Sequence, residues 1–371
     1  ANGNLISTTD PSGQVLDTEY DIMNRPVRQV NALGYESRTV YDEIGRVVQR
    51  IDPLGNAVHY EYDKAGHTVR EQDQLGGVTT FQYDSRDNVV RKELPNGAVW
   101  QYQYDGAGNM VEEIDPLGQS IRREYDALGR LVREDSPLGA VTRFEYDEVG
   151  NLVTQIDPRN ASTRFEYDLL NRQVKEIDPM GRERVSVYDN NGQLTAVQDA
   201  LGFVTQYQYD ALGRDVSETN PMNAARAITY NAAGQKLTET DFNGQVFSLA
   251  YDLNGNLISQ TDPLNQKTLT NYDALNRPVK VTDPLGRERT ATYDEVGRIV
   301  MEISEGGTVT TYEYDAAGRR TRQTDPLGGI VETVYDPIGN AIQETDPLGR
   351  IRISTYDLLG QIGRASCRER V

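Results

Sequence analysis

Cysteine and histidine are almost missing from this 371-residue chain, which has one cysteine, Cys367, and two histidines, His59 and His67. No disulfide can form within it, and a zinc site built from His and Cys is excluded for want of ligands. We therefore expect no metal and no cofactor. Long apolar runs are missing too. None approaches 18 residues, so no segment reads as a transmembrane helix. Apolar residues make up only 37% of the chain, and mean hydropathy is −0.64. Positive charge is scarce: 38 Lys and Arg stand against 57 Asp and Glu, for a net −19. Such a surface repels phosphate backbones, which argues against nucleic-acid binding. Low hydropathy would also suit a disordered chain. The regular spacing of tyrosines, valines and turn residues points instead to a thin sheet, wet on both sides and held by cross-strand ladders.

What is abundant is tyrosine at one interval. Tyr20, Tyr41, Tyr62, Tyr83, Tyr104, Tyr125, Tyr146, Tyr167, Tyr188, Tyr209, Tyr230, Tyr251, Tyr272, Tyr293, Tyr314, Tyr335 and Tyr356 follow one another every 21 residues, with no insertion or deletion. A fixed period of this length is the mark of a repeat architecture. An array grows by stacking, so length sets no domain count. The next residue is Asp throughout, except at Asn231.

Two further slots are stricter than the tyrosine. Four residues after it comes Gly, as at Gly45 and Gly129, with Asn24, Asp87, Asn171 and Asn276 as the exceptions. Fourteen residues after it the same rule returns at Gly55 and Gly139, with Asn160, Asn223 and Asn265 as the exceptions. Gly, Asn and Asp tolerate a positive φ, so both slots demand a left-handed residue. The first closes an Asp-x-x-Gly turn and the second an Asp-Pro-Leu-Gly turn, as at Asp52 to Gly55. Asp first, Pro second and Gly fourth suit a type I turn followed by a left-handed residue, a common hairpin connection.

Between turns lie six or seven residues with period-2 pairs such as Tyr60/Tyr62, Phe81/Tyr83 and Phe144/Tyr146, and with Val48, Val69 and Val90 seven residues after a tyrosine. A Gly or Pro about every ten residues rules out helices. The chain is predicted to be all-β: two antiparallel strands per repeat, with the two turn types along opposite edges of one ribbon. Alternation has period 2 but the repeat has 21 residues, so each repeat needs one parity break, which a bulge or two unlike turns would supply. Roughly 34 strands make a ribbon about 160 Å long, which rolled up in about one turn gives a cylinder about 50 Å across. That is too wide to fill with side chains, so the product is a hollow wall. A propeller would need a period of two repeats, and only one is visible.

The motif Tyr-Asp-x-x-Gly-Arg/Asn, with Asp-Pro-Leu-Gly between copies, resembles the YD repeat of the Rhs (rearrangement hotspot) family over residues 1 to about 362. That family includes bacterial polymorphic toxins, wall-associated proteins, insecticidal toxin-complex subunits and teneurins. The resemblance implies a spiralling β-sheet shell around a hollow interior, which in bacterial members encloses a C-terminal toxin domain. It implies a secreted or cell-surface bacterial protein, with that toxin domain and a secretion machinery as partners. The alternative is a cell-surface adhesin of the wall-associated or teneurin type that recognises glycans or proteins. Tyr335 to Asn340 resembles the opening of the family's cleaved core region, but the chain continues as an ordinary repeat. No toxin domain and no N-terminal delivery region are present, and the chain opens on Ala1-Asn2-Gly3-Asn4, already inside a repeat. We expect an internal segment of a longer protein, with the natural N-terminus upstream. Residues 363–371 break the repeat where Val or Ile is due, and are expected to be a non-native read-through tail.

Against this frame the candidate sites are read as scaffold. A Tyr-Asp pair repeated at every copy is a structural rib. Each acidic turn offers one carboxylate followed by Pro, while calcium wants six or more oxygens. Trp100, Tyr35 and Tyr102 are candidates for stacking on sugars by type alone. Catalysis would need His59 or His67, and both fall in ordinary strand or turn slots, so no catalytic residue is nominated. Arg46, Arg130, Arg172, Arg214 and Arg298, next to the first turn's glycine, are expected to pair with neighbouring Asp or Glu.

Overall fold

The computed structural model describes residues 3–368. They form a single sheet of 35 strands, from β1 (Ser7–Thr9) to β35 (Ile362–Arg368). Each strand pairs antiparallel with its neighbours in sequence, as β10 (Val99–Tyr104) does with β9 (Val89–Glu93) and β11 (Met110–Ile114). The all-β, two-strand repeat is thus realised along the whole array. A propeller would break the sheet into blades, whereas this ladder is continuous.

The turns form as their residues dictate. In the first turn the Asp105 amide donates to Asn109 O at 2.9 Å and the Gly108 amide to Asp105 O at 3.2 Å. In the second, the Asp115 amide donates to Gln119 O and the Gly118 amide to Asp115 O, both at 2.9 Å. The closing residues are left-handed, with φ of 91° at Gly108 and 80° at Gly118. The exceptions prove the requirement. Asn24, Asp87, Asn160, Asn171, Asn223, Asn265 and Asn276 are the positive-φ residues other than glycine among the described residues, and all seven sit in these two slots.

One bulge per repeat resolves the odd period. Gln103 lies opposite Glu112 and Tyr104 opposite Met110, which leaves Val111 with no opposite residue. The same shift immediately precedes Tyr41, Tyr125 and Tyr335. The residue seven after each tyrosine, most often valine as at Val48, Val111 and Val132 but threonine at Thr195, is therefore the extra residue of the bulge. Tyr102 faces Glu113, so Glu113, Val111 and Met110 all share the tyrosine face, and the next tyrosine returns to it.

This wall has no thick core. Among the described residues, Ala98 and Ile228 are the buried hydrophobic ones, and no large side chain is fully buried. Along β10, Trp100, Tyr102 and Tyr104 are half-buried on one face while Gln101 and Gln103 are exposed on the other. Stability comes from half-burial repeated at every rung, as expected of a quasi-one-dimensional array.

The ribbon coils rather than closing strand to strand. The Ser12 amide donates to Asn254 Oδ1 at 3.0 Å, and Asn254 Nδ2 donates to Asp10 Oδ2 at 2.8 Å, across 242 and 244 residues. At 21 residues per repeat, one coil is about 11.5 repeats or about 23 strands, a circumference of about 110 Å and a diameter of about 35 Å. The single turn about 50 Å across that strand counting suggests is therefore replaced by about one and a half narrower coils. Strand twist tilts the ribbon so that its two edges pass each other and meet instead of overlapping. At the far end, β35 pairs with β34 (Ile351–Tyr356) in a register running from Tyr356↔Ile362 to Ile351↔Arg368. Residues 369–371 of the expected tail lie outside the described residues.

Candidate functional site: the wall and its seam

The tyrosine is a bolt between repeats. Tyr104 Oη donates to the carbonyl of Val89 at 3.0 Å, and Tyr146 and Tyr209 donate likewise to Leu131 and Leu194. The acceptor is the residue opposite the preceding tyrosine, since Val89 pairs with Tyr83. It stands next to the bulge, where the ladder is locally disrupted and a carbonyl is open to a side-chain donor. Phenylalanine would fill the space but offers no proton, which gives the repeat a reason to use tyrosine.

The aspartate that follows organises the first turn. Asp168 Oδ1 accepts the amides of Leu170 and Arg172 at 2.9 and 3.0 Å, and Oδ2 accepts Arg172 Nε at 2.7 Å. The Arg172 side chain, then its amide, hold the Asp168 carboxyl below its ordinary range. Arg172 also reaches forward, donating Nη1 to the Asp189 carbonyl at 3.2 Å and placing its guanidinium 4.7 Å from the centre of the Tyr188 ring. Arg46, Arg130, Arg214 and Arg298 repeat this stacking on Tyr62, Tyr146, Tyr230 and Tyr314. The arginine is thus a staple joining one turn to the next. Its ion pair was legible in the sequence and its stacking was not, although an arginine five residues after so many tyrosines was the available signal.

His67 occupies the arginine slot and performs the same task with an imidazole. Its Nδ1 lies 2.9 Å from Asp63 Oδ2, its Nε2 lies 3.1 Å from Asp87 Oδ1, and its ring stacks on Tyr83 at 4.5 Å. The hydrogen bond to Asp63 raises its pKa above 6.5, and Asp63 is lowered by the same bond. His59 is elsewhere, exposed on β6 (Ala57–Tyr62) opposite Gln49 and Gln72. The two histidines are not brought together.

The other sequence candidates are absorbed into the ladder. Tyr41, Tyr62, Tyr83, Tyr125, Tyr167, Tyr188 and Tyr251 each end a strand. Gly45 and Gly129 close first turns with φ of 96° and 77°, and Gly55 and Gly139 close second turns with φ of 83° and 77°. Trp100, Tyr102 and Tyr35 are half-buried. Paired carboxylates are tied up by cations. Arg226 lies 2.9 Å from Asp215, 3.3 Å from Glu218 and 3.4 Å from Glu239, and Glu239 is held low by Lys236 at 2.7 Å. Ionised carboxylates held this way are poor proton donors. Among the described residues no group of three or more His, Cys, Asp or Glu is placed to hold a metal ion, and no helix is long and apolar enough to cross a membrane.

The remaining feature is the seam between coils. Ser12 and Asn254 are each the third residue of their turn, the first belonging to a second-type turn and the other to a first-type turn. Carried along the array, that register sets Leu33 against Leu275, Leu54 against Val296 and Leu117 against Leu359. Burial follows it. Leu33, Leu54, Leu75 and Leu117 are 39–45% exposed, whereas Leu138, Leu264, Leu285, Leu327 and Leu348, which that register sets against no other residue of the chain, are 76–97% exposed. Leu275, Ile338 and Leu359 on the facing edge are half-buried. A cleft of about 780 Å³ interrupts the seam, lined by Gly76, Val78, Leu94 and Pro95 from one coil and Arg319, Tyr335 and Pro337 from the next. Turn-to-turn hydrogen bonds of Asp10 and Ser12 with Asn254, and the partial cover of second-turn leucines along the same register, thus join ribbon edges into a wall.

Known proteins share this wall. The family described as Teneurin YD-shell matches residues 2–182 and 117–258, and the RHS Repeat family matches residues 251–288 and 293–330. The TcdB2-TccC3-TEV crystal structure is similar over 96% of this chain, with a TM-score of 0.81 and 18% identity. The Photorhabdus luminescens Tc holotoxin pore is similar over 97% of it, with a TM-score of 0.71 and 16% identity. A comparison with curated proteins gives no match. The chain spans about a quarter of the length of these solved chains, covering 24% and 25% of them.

Proposed function

This chain belongs to the Rhs/YD-repeat family, whose fold is a structural shell, and from that premise we propose that it is a non-enzymatic segment of a wall that encloses a toxin domain carried C-terminally by a longer protein. The observation that carries the reading is the seam. By joining Asp10 and Ser12 to Asn254 across about one coil, it converts an open ribbon into a continuous wall around a space too wide for side chains to fill. The mechanism is steric. Cargo inside is kept from its targets and from proteases, and a thin wall without a deep apolar core offers little strong apolar grip on it. The route of such a protein is secretion or display at the bacterial surface.

The test is to express the cargo-bearing region in producer cells with and without residues 1–362. Removing the wall should make the product toxic to its host and the cargo protease-sensitive. Unchanged growth and unchanged protease resistance would sink the reading. Binding of the isolated repeats to a glycan array would favour an adhesive module instead.

A further inference from the structure

Apolar cover closes the seam but does not choose its register. The third turn residues run Leu33, Leu54 and Leu75 along one edge and Leu275, Val296 and Ala317 along the other. A slip of one repeat, 21 residues, sets Leu54 against Leu275 and Leu75 against Val296, and the edges still match apolar to apolar. Rungs lie about 9–10 Å apart along each edge. Strand twist brings the edges together, but it varies widely from strand pair to strand pair and is too soft to fix the meeting point to one rung.

The polar contacts of the seam are not interchangeable in this way. Asn254 is a third turn residue whose amide group is fully used. Its Oδ1 accepts the Ser12 amide at 3.0 Å, and its Nδ2 donates to Asp10 Oδ2 at 2.8 Å and to Asn276 Oδ1 at 2.9 Å. Asn276 sits in the left-handed slot of the following turn, with φ of 60°, and also accepts Asn256 Nδ2 at 2.7 Å. On the opposite edge Ser12 is small where leucine stands at 33, 54 and 75. Asp10 Oδ1 accepts the amides of Ser12 and Gln14, which leaves Oδ2 to face Asn254. One repeat along, the match is lost. Asn31 stands in the place of Asp10, and its Oδ1 already accepts the amides of Leu33 and Tyr35, both at 3.0 Å. Its amide nitrogen would meet Asn254 Nδ2 donor to donor. One repeat the other way, the Leu275 side chain offers Asp10 no donor.

We infer that Asn254 is the register-determining residue of the coil. By recognising Asp10 and Ser12 it selects one meeting point among rungs that the leucines leave nearly equivalent, and so sets how many strands make one coil. Each repeat of slip adds or removes two strands, about 10 Å of circumference and about 3 Å of diameter. A polar residue in the apolar seam of a coiled coil fixes register in the same way, because a wrong pairing strands a polar group without its partner. The inference refines the enclosure reading by naming what sets the width of the enclosed space.

The experiment is disulfide trapping in the full chain, with Cys367→Ser as background and a glutathione buffer. A disulfide spans about 4–7 Å between Cα atoms, short of the spacing between rungs. Three pairs report three registers: Leu54→Cys with Val296→Cys the observed one, with Leu275→Cys a narrower coil, and with Ala317→Cys a wider one. With Asn254 in place the first pair should close and the other two should not. Asn254→Leu should leave the coil closed but raise closure of a slipped pair at least about tenfold relative to the first. Asn254→Asp sets a carboxylate against that of Asp10 and should do the same. Adding Asp10→Asn, which exchanges the two groups, should restore the observed register. The proposal is overturned if the observed pair alone closes in Asn254→Leu, or if the exchange restores nothing. Loss of all three disulfides with circular dichroism unchanged also overturns it, because Asn254 would then be needed for closure and not for register. Each readout is of register alone, so failure here leaves the test of cargo enclosure standing.

Discussion

The seam can be opened without disturbing a single strand, and its strength can be estimated. Leu33 and Leu54 are 39% and 42% exposed, against 76–97% for leucines in the same turn position on the free rim. About half of each side chain is therefore withdrawn from water by the second coil. Full burial of a leucine is worth about 1.5–3 kcal/mol, so each contributes about 1 kcal/mol and the pair about 2 kcal/mol. Replacing both by Asp removes that term and sets new carboxylates beside the turns that begin at Asp273 and Asp294. The open-to-closed ratio of the seam should rise at least about thirtyfold. Hydrogen exchange followed by mass spectrometry reads this directly. Peptides covering residues 31–35 and 273–277 should exchange about thirtyfold faster, while a mid-coil segment such as 125–146 should not change. The same substitutions on the free rim, at Leu285 and Leu327, should leave seam exchange untouched. Unaltered exchange at 273–277, or an equal rise throughout the sheet, would refute the account of how the coils are joined.

Four further outcomes follow from the repeat itself. Tyr104→Phe keeps the ring but loses the donor to Val89 O, and should cost about 1 kcal/mol, seen as faster exchange confined to β9 and β10. Gly139→Val should cost about 1–2 kcal/mol or more, because φ is 77° there although nothing crowds an added Cβ. Gly139→Asn should stay near wild type, since Asn fills the same slot at 160, 223 and 265, and equal losses for both variants would remove the left-handed requirement. His67 has a raised folded pKa, so its staple is complete below its ordinary value of 6.5 and is lost as pH rises through the raised value. Histidine NMR titration should show that raised value, and His67→Arg should abolish the accompanying change in exchange at the Asp84–Asp87 turn. Asp168 and Asp210 have lowered pKa values, set first by the Arg172 and Arg214 side chains. Their contribution is present above the ordinary value of 3.8 and lost as pH falls through the folded values, so circular dichroism should report loosening of the sheet only in strong acid.

Within one repeat, almost everything was legible because almost everything is local. Gly, Asn and Asp at two fixed slots announce positive φ, and the structure places all seven exceptional residues there. The odd period required a parity break, and arithmetic alone could say so. It could not say that the break is a bulge at Val111, since several positions satisfy the count. The two ends of the tyrosine bond, Tyr104 and Val89, lie 15 residues apart and meet only through the bulge. Arginine stacking was hidden for a similar reason, because Arg172 and Tyr188 belong to different repeats.

By itself the sequence determined the strand, the two turns, the pairing order and the need for one irregularity per repeat. Each depends on φ preference, alternation or turn chemistry inside a window of 21 residues. The radius of the coil, the partner of each turn across the seam and the division of leucines into covered and bare were decided only by the tertiary structure. They depend on a small twist summed over about 23 strands, where a degree or two per strand moves the meeting point by whole repeats. Ser12 meets Asn254 across 242 residues for that reason, and neither residue's neighbours in the chain could announce it.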